Sequence, residues 1–527
     1  DLVKAPLSVA NLRGANLARA LMVSAELWRV DFTDADLRGA ILTEAGLIDA
    51  KLNGAQLTNA VFDRATLSNA TFAQADLSLA TLREAQATDA DFTGVFAGGA
   101  DFSDAYLYRA TLNEANLEGA TFTHATLWNA RLERANLLEA NLVEAQLDDA
   151  TLVDANLERA SLIGADLTNA NLTGANLKSA NLCEAFLSGA DLRDANLDNA
   201  DLEGANLERA NLVGANLGRA NLEGAKLTGA TLARAKLTHA QLDSAILGGA
   251  DLSGANAANA DLVEAYLGGA KLLACDLSGA SLSSAALEEA DFTDANLSGA
   301  NMEDVRAENA RFLSANLRKV DFRAANLSGA QFNGADLRGA SLEGSRIDNA
   351  VFHGAKVSGL TGTGEEVVGL VVEWLDTSAE GDGSGRIVGA QAQAFLLGIS
   401  APKPAETRYF GKGDVLKNAT LEFGEEASVE IDSRFEECQI VIHRGTQLVI
   451  GPHGVLVGCT ISGGGNITVF GQFYEKSSPA IIDAKRILVP KGGVLVGSVE
   501  QPAERTIFAF EPGSKLRMSI SKSRHER

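Results

Sequence analysis

Residues 191–210 read DLRDANLDNADLEGANLERA. Leu192, Leu197, Leu202 and Leu207 stand five apart. Two places ahead of each is a small residue, Ala190, Ala195, Ala200 and Ala205, and between the two is Asp191, Asn196, Asp201 or Asn206. The same Ala-(Asn/Asp)-Leu-x-x unit runs in one phase from Leu2 to about Val357 without insertion or deletion. A period of five is not helical, because successive leucines would turn roughly 140° around the axis. Nor is it that of a flat strand, which would send alternate leucines to opposite faces. It fits a coil that turns a corner every five residues and points one large and one small residue inward on each side. Fixed-period self-similarity marks a solenoid. Four sides make a square coil of twenty residues. With about 18 coils at ~4.8 Å per parallel rung, the rod is about 86 Å long, and the crossover rule favours the right-handed form.

The rest of the composition agrees. The chain has 527 residues, 45 Lys+Arg against 69 Asp+Glu and a net charge of −24. Mean hydropathy is nevertheless +0.02, which argues against disorder. Four cysteines are too few for a disulfide-stapled fold. No apolar run approaches the ~18 residues of a membrane span. The acidic balance disfavours direct binding to nucleic acid. Of the eight prolines only Pro6 lies before residue 360, and residues 1–360 carry a net −20 against −4 for the remainder. The chain therefore divides near residue 360.

The repeat resembles the pentapeptide-repeat family, whose members form right-handed quadrilateral β-helices. The resemblance covers residues 1–359 and implies an all-β fold. Numbering the four faces by the apolar residue at the centre of each side, the first face (Leu2, Met22, Leu42 onward) has outward side chains summing to −14, and the others sum to −5, −3 and +2. The acidity is one stripe. Its candidate partner-binding members are Glu144, Glu184, Asp201, Glu203, Glu223, Asp243, Asp261, Glu264, Glu303 and Asp304. Like charges on adjacent rungs repel, so a stripe without a purpose costs stability. One reading is a docking surface for a basic protein; the resemblance adds that some family members mimic a DNA duplex and bind type II topoisomerases. The other is a solvated face whose composition drifted as the repeats duplicated. Inside, Phe292, Phe312, Phe332 and Phe352 fall one coil apart on the third face, and Phe102 and Phe122 do so on the first, predicting stacked core ladders. Ala87, Ala97, Ala257 and Ala307 replace the large inward residue, and Val30, Val95, Cys275, Val305 and Val320 the small one.

Beyond Val357 the glycines at 359, 362 and 364 read as a breaker. Glu365–Asp376 reads as a short amphipathic helix capping the last coil, with its valines making a strand the competitor. Residues 378–385 read as a flexible loop, and 360–404 as a whole as cap and linker. From about 405 to 520 a second repeat appears: Gly454–Gly458 recurs thirty-nine residues later as Gly493–Gly497, with Ile467–Gly471 between. Two coils of about nineteen residues predict a smaller, three-sided β-helix. This part resembles the bactofilin family of β-helical cytoskeletal proteins, which implies self-assembly into homo-oligomers or polymers. Gln472–Ala480 and Gln501–Arg505 read as insertions, and 521–527 as a basic tail.

No catalytic constellation stands out. His124, His239 and His353 lie outward on different faces or distant coils, and no His pairs with Cys at metal-ligand spacing. His443 and His453 are the candidates should the second coil be an acyltransferase. Cys183 projects outward, Cys275 inward, and Cys438 and Cys459 are about one coil apart. Gly463–Gly465 lack the Lys-Ser/Thr of a phosphate loop. The chain opens in full phase at Asp1-Leu2, so further sequence or a covering subunit is expected ahead of it. The expectation is a cytoplasmic, non-enzymatic scaffold or cytoskeleton-associated protein without cofactor or metal: the rod a spacer and protein-binding surface, the second coil an assembly element. The alternative is an acidic-face binder of a basic partner.

Overall fold

The five-residue period builds its corners from side chains as much as from backbone. In the computed structural model, the apolar residue's carbonyl accepts a turn bond from the next small residue, as in Ala205 N–H to Leu202 O at 3.0 Å. The second corner residue sits in the left-handed region, Gly204 at φ +65° and Glu184 at φ +57°. The Asn or Asp ahead of each corner explains itself here: Oδ1 of Asp201 accepts from Glu203 N–H at 3.3 Å, and that of Asn221 from Glu223 N–H at 3.1 Å. An Asx side chain thus caps a backbone donor that the turn leaves unpaired.

The described residues are 1–363 and 367–398, and beyond them the strands between 405 and 521 with scattered residues of their turns. Two compact units divide the chain, Asp1–Arg386 and Ile387–Arg527.

In the first unit the sides whose partners are described pair in parallel with the side twenty residues on, from Pro6↔Glu26 to Val351↔Val371. Three inter-coil hydrogen bonds knit each side, for example Asp201 N–H to Ala180 O at 2.9 Å, Leu182 N–H to Asp201 O at 2.6 Å and Glu184 N–H to Glu203 O at 2.8 Å. From Met22 onward the inward Leu, Phe and Ala columns are buried. The phenylalanine ladders form as expected. Phe292, Phe312, Phe332 and Phe352 stack with centroids 5.0, 5.0 and 4.6 Å apart, and Phe102 on Phe122 at 4.8 Å. Phe72 and Phe92 make a further stacked pair at 4.7 Å. On the fourth face, the side-chain amides of Asn116, Asn136, Asn156, Asn176, Asn196 and Asn216 form a hydrogen-bonded ladder at 2.9–3.1 Å.

The expected capping helix over 365–376 is corrected. Glu365 and Glu366 lie outside the described residues. Val371 bridges Val351, and Trp374–Asp376 is a strand paired in parallel with Ala355–Lys356, so the square coil continues to Asp376. Val372 is buried, while Val368 and Val371 are 75% and 49% exposed, the alternation of a coil side rather than a helix face. The loop expected to be flexible is tied by the buried Asp376 carboxylate. It accepts from Ser378 N–H at 2.9 Å and Gly383 N–H at 2.8 Å. The described helix lies later, Gly389–Leu397, ended by Gly398 at φ +65°.

The second unit is a β-coil built from parallel sheets. One sheet joins Ala405–Phe410, Ala427–Ile431, Gln447–Ile450, Asn466–Val469, Arg486–Val489 and Ile507–Phe510. A second joins Val415–Lys417, Arg434–Glu436, Val455–Val457, Gln472–Tyr474, Val494–Glu500 and Lys515–Ser521. The third holds Thr420–Phe423, Gln439–Ile442 and Thr460–Ser462. Strands Val455–Val457 and Val494–Glu500 flank Gln472–Tyr474, so the thirty-nine-residue recurrence is two coils. Gln472–Tyr474 is a strand, not the start of an insertion. Residues 475–485 and 501–506, and the 522–527 part of the basic tail, lie outside the described residues.

Candidate functional site

The twenty-residue phase places all ten candidate carboxylates on the first face, over nine consecutive coils from Glu144 to Asp304. From Asn141 to Asp304 this face carries no Lys, Arg or His. Its two ends are neutralised. Near the start, Arg64 pairs with Glu44 at 3.1 Å, Arg83 with Asp101, and His124 stands between Asp104 at 3.5 Å and Glu144 at 3.3 Å. Near the finish, Arg323 pairs with Glu303 at 3.2 Å and Asp321 at 2.6 Å. Between them, Glu184, Asp201, Glu203, Glu223, Asp243, Asp261, Glu264 and Asp304 have no ion pair among the described residues; Asp304 accepts only from Ser284 Oγ at 3.3 Å. The other faces carry cations that pair with part of their carboxylates, as in Arg109–Asp89 at 2.6 Å, Arg159–Glu139 at 3.1 Å and Arg219–Asp198 at 2.7 Å. Such exposed pairs add little stability, but they show what the stripe lacks.

Crowding within the stripe acts on Asp243. Burial raises the Asp243 carboxyl above the ordinary carboxylate range, and the neighbouring charges of Asp261, Glu223 and Glu264 raise it further. Cys183 lies against Asp201 and Glu203, with one ligand-type atom from each within 4.8 Å of the others. Burial, then the hydrogen bond and charge of Asp201 and the charge of Glu203, push its thiol up to about 12. The thiol is therefore protonated at neutral pH and is not an activated nucleophile. Cys275 is buried and likewise pushed up to about 12. Cys438 and Cys459 do meet on adjacent coils, beside the paired strands Gln439–Ile442 and Thr460–Ser462, as buried free thiols. His453 Nδ1 contacts Asp432 at 3.1 Å and His353 Nδ1 contacts Glu373 at 2.8 Å. His443 lies outside the described residues.

Reading the face by charge alone misses its neighbour. Every Trp and Tyr of residues 1–359, namely Trp28, Tyr106, Tyr108, Trp128 and Tyr266, falls on the outward positions of the second face. Phe186 and Ile246 join them. The signal was in the repeat, since these aromatics occupy outward positions of the unit rather than the inward Leu position. Two shallow grooves run along this face and its corner with the stripe. One of about 660 Å³ is lined by Asp104, Tyr106, Tyr108, His124, Thr126, Trp128 and Gln146. The next, about 620 Å³, shares Gln146 and adds Glu144, Asp166, Glu184, Phe186 and Lys226. The exposed aromatics of the second face are the residue types enriched at protein interfaces, and they stand beside the line of carboxylates.

Among the described residues, no helix is long and apolar enough to cross a membrane. A comparison with curated proteins gives no match. Among solved structures, the chain is 28% identical to HetL, a pentapeptide repeat protein involved in heterocyst differentiation regulation from the cyanobacterium Nostoc sp. strain PCC 7120, over 44% of this chain and 91% of that one, with a TM-score of 0.21. It is 32% identical to a pentapeptide repeat protein from the Arabidopsis thaliana thylakoid lumen, over 20% and 70%, with a TM-score of 0.15. QnrB1, a plasmid-mediated fluoroquinolone resistance protein, is 20% identical over 36% and 89%, with a TM-score of 0.16. The family model for pentapeptide repeats (8 copies) matches residues 1–39, 10–47, 40–78, 60–96, 100–137, 140–178, 170–209, 205–240 and 235–272. That for a pentapeptide repeat region matches 275–352. With more than half of its length matched in the same phase that builds the square coil, the chain belongs to the pentapeptide-repeat family.

Proposed function

We propose that this protein is a non-enzymatic cytoplasmic scaffold whose square coil is a rigid spacer and docking surface for a basic protein. The carrying observation is the unneutralised run of carboxylates on the first face, bounded at each end by cations. Its geometry is fixed by three inter-coil hydrogen bonds per side, so a partner meets a preordered line of negative charge spaced ~4.8 Å per coil. Such complementarity steers encounter and sets register. The test reverses charge at Glu184, Glu203, Glu223, Asp243 and Glu264 to Lys. Partner capture at physiological salt is expected to fall at least about tenfold, with the thermal melt by circular dichroism unchanged. Undiminished capture would leave the stripe a merely solvated face.

A second reading concerns assembly through the second unit. Its first two sheets end on Ile507–Phe510 and Lys515–Ser521, each paired on one side only among the described residues. Open parallel edges on stacked coils are templates for another copy, the property that the bactofilin resemblance implies. Electron microscopy of the full chain is expected to show end-to-end dimers or filaments joined through residues 405–520. A monodisperse monomer at high concentration would sink this reading.

A further inference from the structure

We infer that the groove around Trp128 on the second face is a seat for an arginine side chain of the docked protein, carried on an extended segment that runs beside the carboxylate stripe. This rests on the basic-partner reading and says where its contact becomes specific.

The fold already shows these corner rings receiving guanidinium. Arg29 lies over Trp28 at 5.8 Å, and Arg109 over Tyr108 at 4.7 Å. Trp128 occupies the same corner position, but the next residue is Asn129, and no cation lies over its ring among the described residues. The ring is left 43% exposed beside Tyr106, which is 50% exposed. One coil on, at the position below Trp128, stands Asp148. Its Oδ1 is shut off from solvent, and the Trp128 indole hydrogen-bonds its carboxylate, which holds the ring in place on the groove. Burial raises its carboxyl, and the charges of Asp149 and Asp166 raise it further; the Trp128 indole pulls weakly the other way. The exposed ring face and the Asp104 carboxylate, which line one groove, offer the two contacts a guanidinium makes, stacking in its plane and donating at its edge.

Lysine fits less well, because a compact ammonium cannot stack on the ring and donate to the Asp104 carboxylate at once. That wall of the groove is acidic, with Asp104 and Glu144 flanking His124. Phosphate-bearing ligands meet repulsion on both sides, so charge complementarity leaves a cationic segment as the occupant.

The probe is a capped nonapeptide alternating Arg and Gly, titrated into the full chain by calorimetry at about 0.1 M salt, against the same peptide with Lys in place of Arg. The Arg peptide is expected to bind more tightly. Trp128→Ala is expected to weaken it about 5- to 30-fold and to erase the preference over Lys, while Trp128→Phe retains part of it. Asp104→Asn also reduces the Arg preference. The triple variant Glu184→Lys, Glu203→Lys, Glu223→Lys weakens both peptides and keeps the preference. If Trp128→Ala binds the Arg peptide as wild type does while the triple variant weakens both, the seat is wrong and the docking face stands. If the wild-type chain binds neither peptide, both fail. A circular dichroism melt verifies that Trp128→Ala is folded, and Trp128→Phe carries the comparison if it is not.

Discussion

Phe312→Ala is expected to cost about 3–5 kcal/mol, and the loss should be confined to the C-terminal coils of the rod. Phe312 is fully buried, stacks on Phe292 and Phe332 at 5.0 Å each, and meets the edge of Phe322 at 5.8 Å. Removing the ring leaves a void that the square coil cannot collapse. The backbone on every side is pinned by inter-coil bonds, such as Phe312 N–H to Gln331 O at 2.7 Å. The neighbouring rings lose their stacking partners as well. In a solenoid each coil touches only its neighbours, so a defect spreads by nearest-neighbour coupling rather than through a shared core. Hydrogen exchange should therefore show lost protection from about residue 290 to 376, with residues 30–250 protected as in wild type. Uniform loss of protection along the rod would show instead that the coils unfold as one cooperative block.

The square coil was legible because its inward positions are occupied with almost no exceptions, and a period of five admits no helix or flat strand. The stripe was legible for the same reason: once the phase is known, each outward residue has a face. The aromatic second face was equally computable from that phase, since Tyr106, Trp128 and Tyr266 sit at outward positions. Charge drew attention away from it. What the phase does not reveal is which carboxylates find a cation. That depends on reach between coils, as in Arg323 bridging back to Glu303.

The segment after Val357 misled because its valines are clustered. Val367 and Val372 keep the five-residue phase, but Val368 and Val371 beside them suggest a helical face. The strand pairing of Trp374–Asp376 with Ala355–Lys356, twenty residues earlier, decides for the coil. In the second unit the thirty-nine-residue recurrence sufficed to space the coils. Its sides are less uniform, with register offsets that vary between adjacent coils, as Gln447↔Asn466 and Arg486↔Ile507 show. Strand ends there were correspondingly harder to place, and Gln472–Tyr474 is the example.

Deleting residues 196–200 is expected to leave the rod folded and to break the stripe in two. The deletion joins Ala195 to Asp201 and removes one side of one coil, so every inward Leu and Ala downstream still meets an inward Leu or Ala. Everything after the junction turns back by one face. Asp201, Glu203, Glu223, Asp243, Asp261 and Glu264 then continue the fourth face, leaving Glu144 and Glu184 behind on the first. The melting temperature should move by only a few degrees, because few buried groups are lost from a solenoid of independent rungs. Capture of the basic partner should fall as far as it does on charge reversal, although every stripe carboxylate is kept and the only charge lost is that of Asp198 on the fourth face. Deleting Gly204 alone is the contrasting case. It drives the following units out of phase and brings Asx and corner side chains to inward positions, at about 2–7 kcal/mol for each polar group buried without a partner. That chain should be protease-sensitive beyond residue 200. If the five-residue deletion also unfolds the rod, the phase is not what holds the core. If it folds and still captures the partner at wild-type strength, a continuous line of charge is not what the partner recognises.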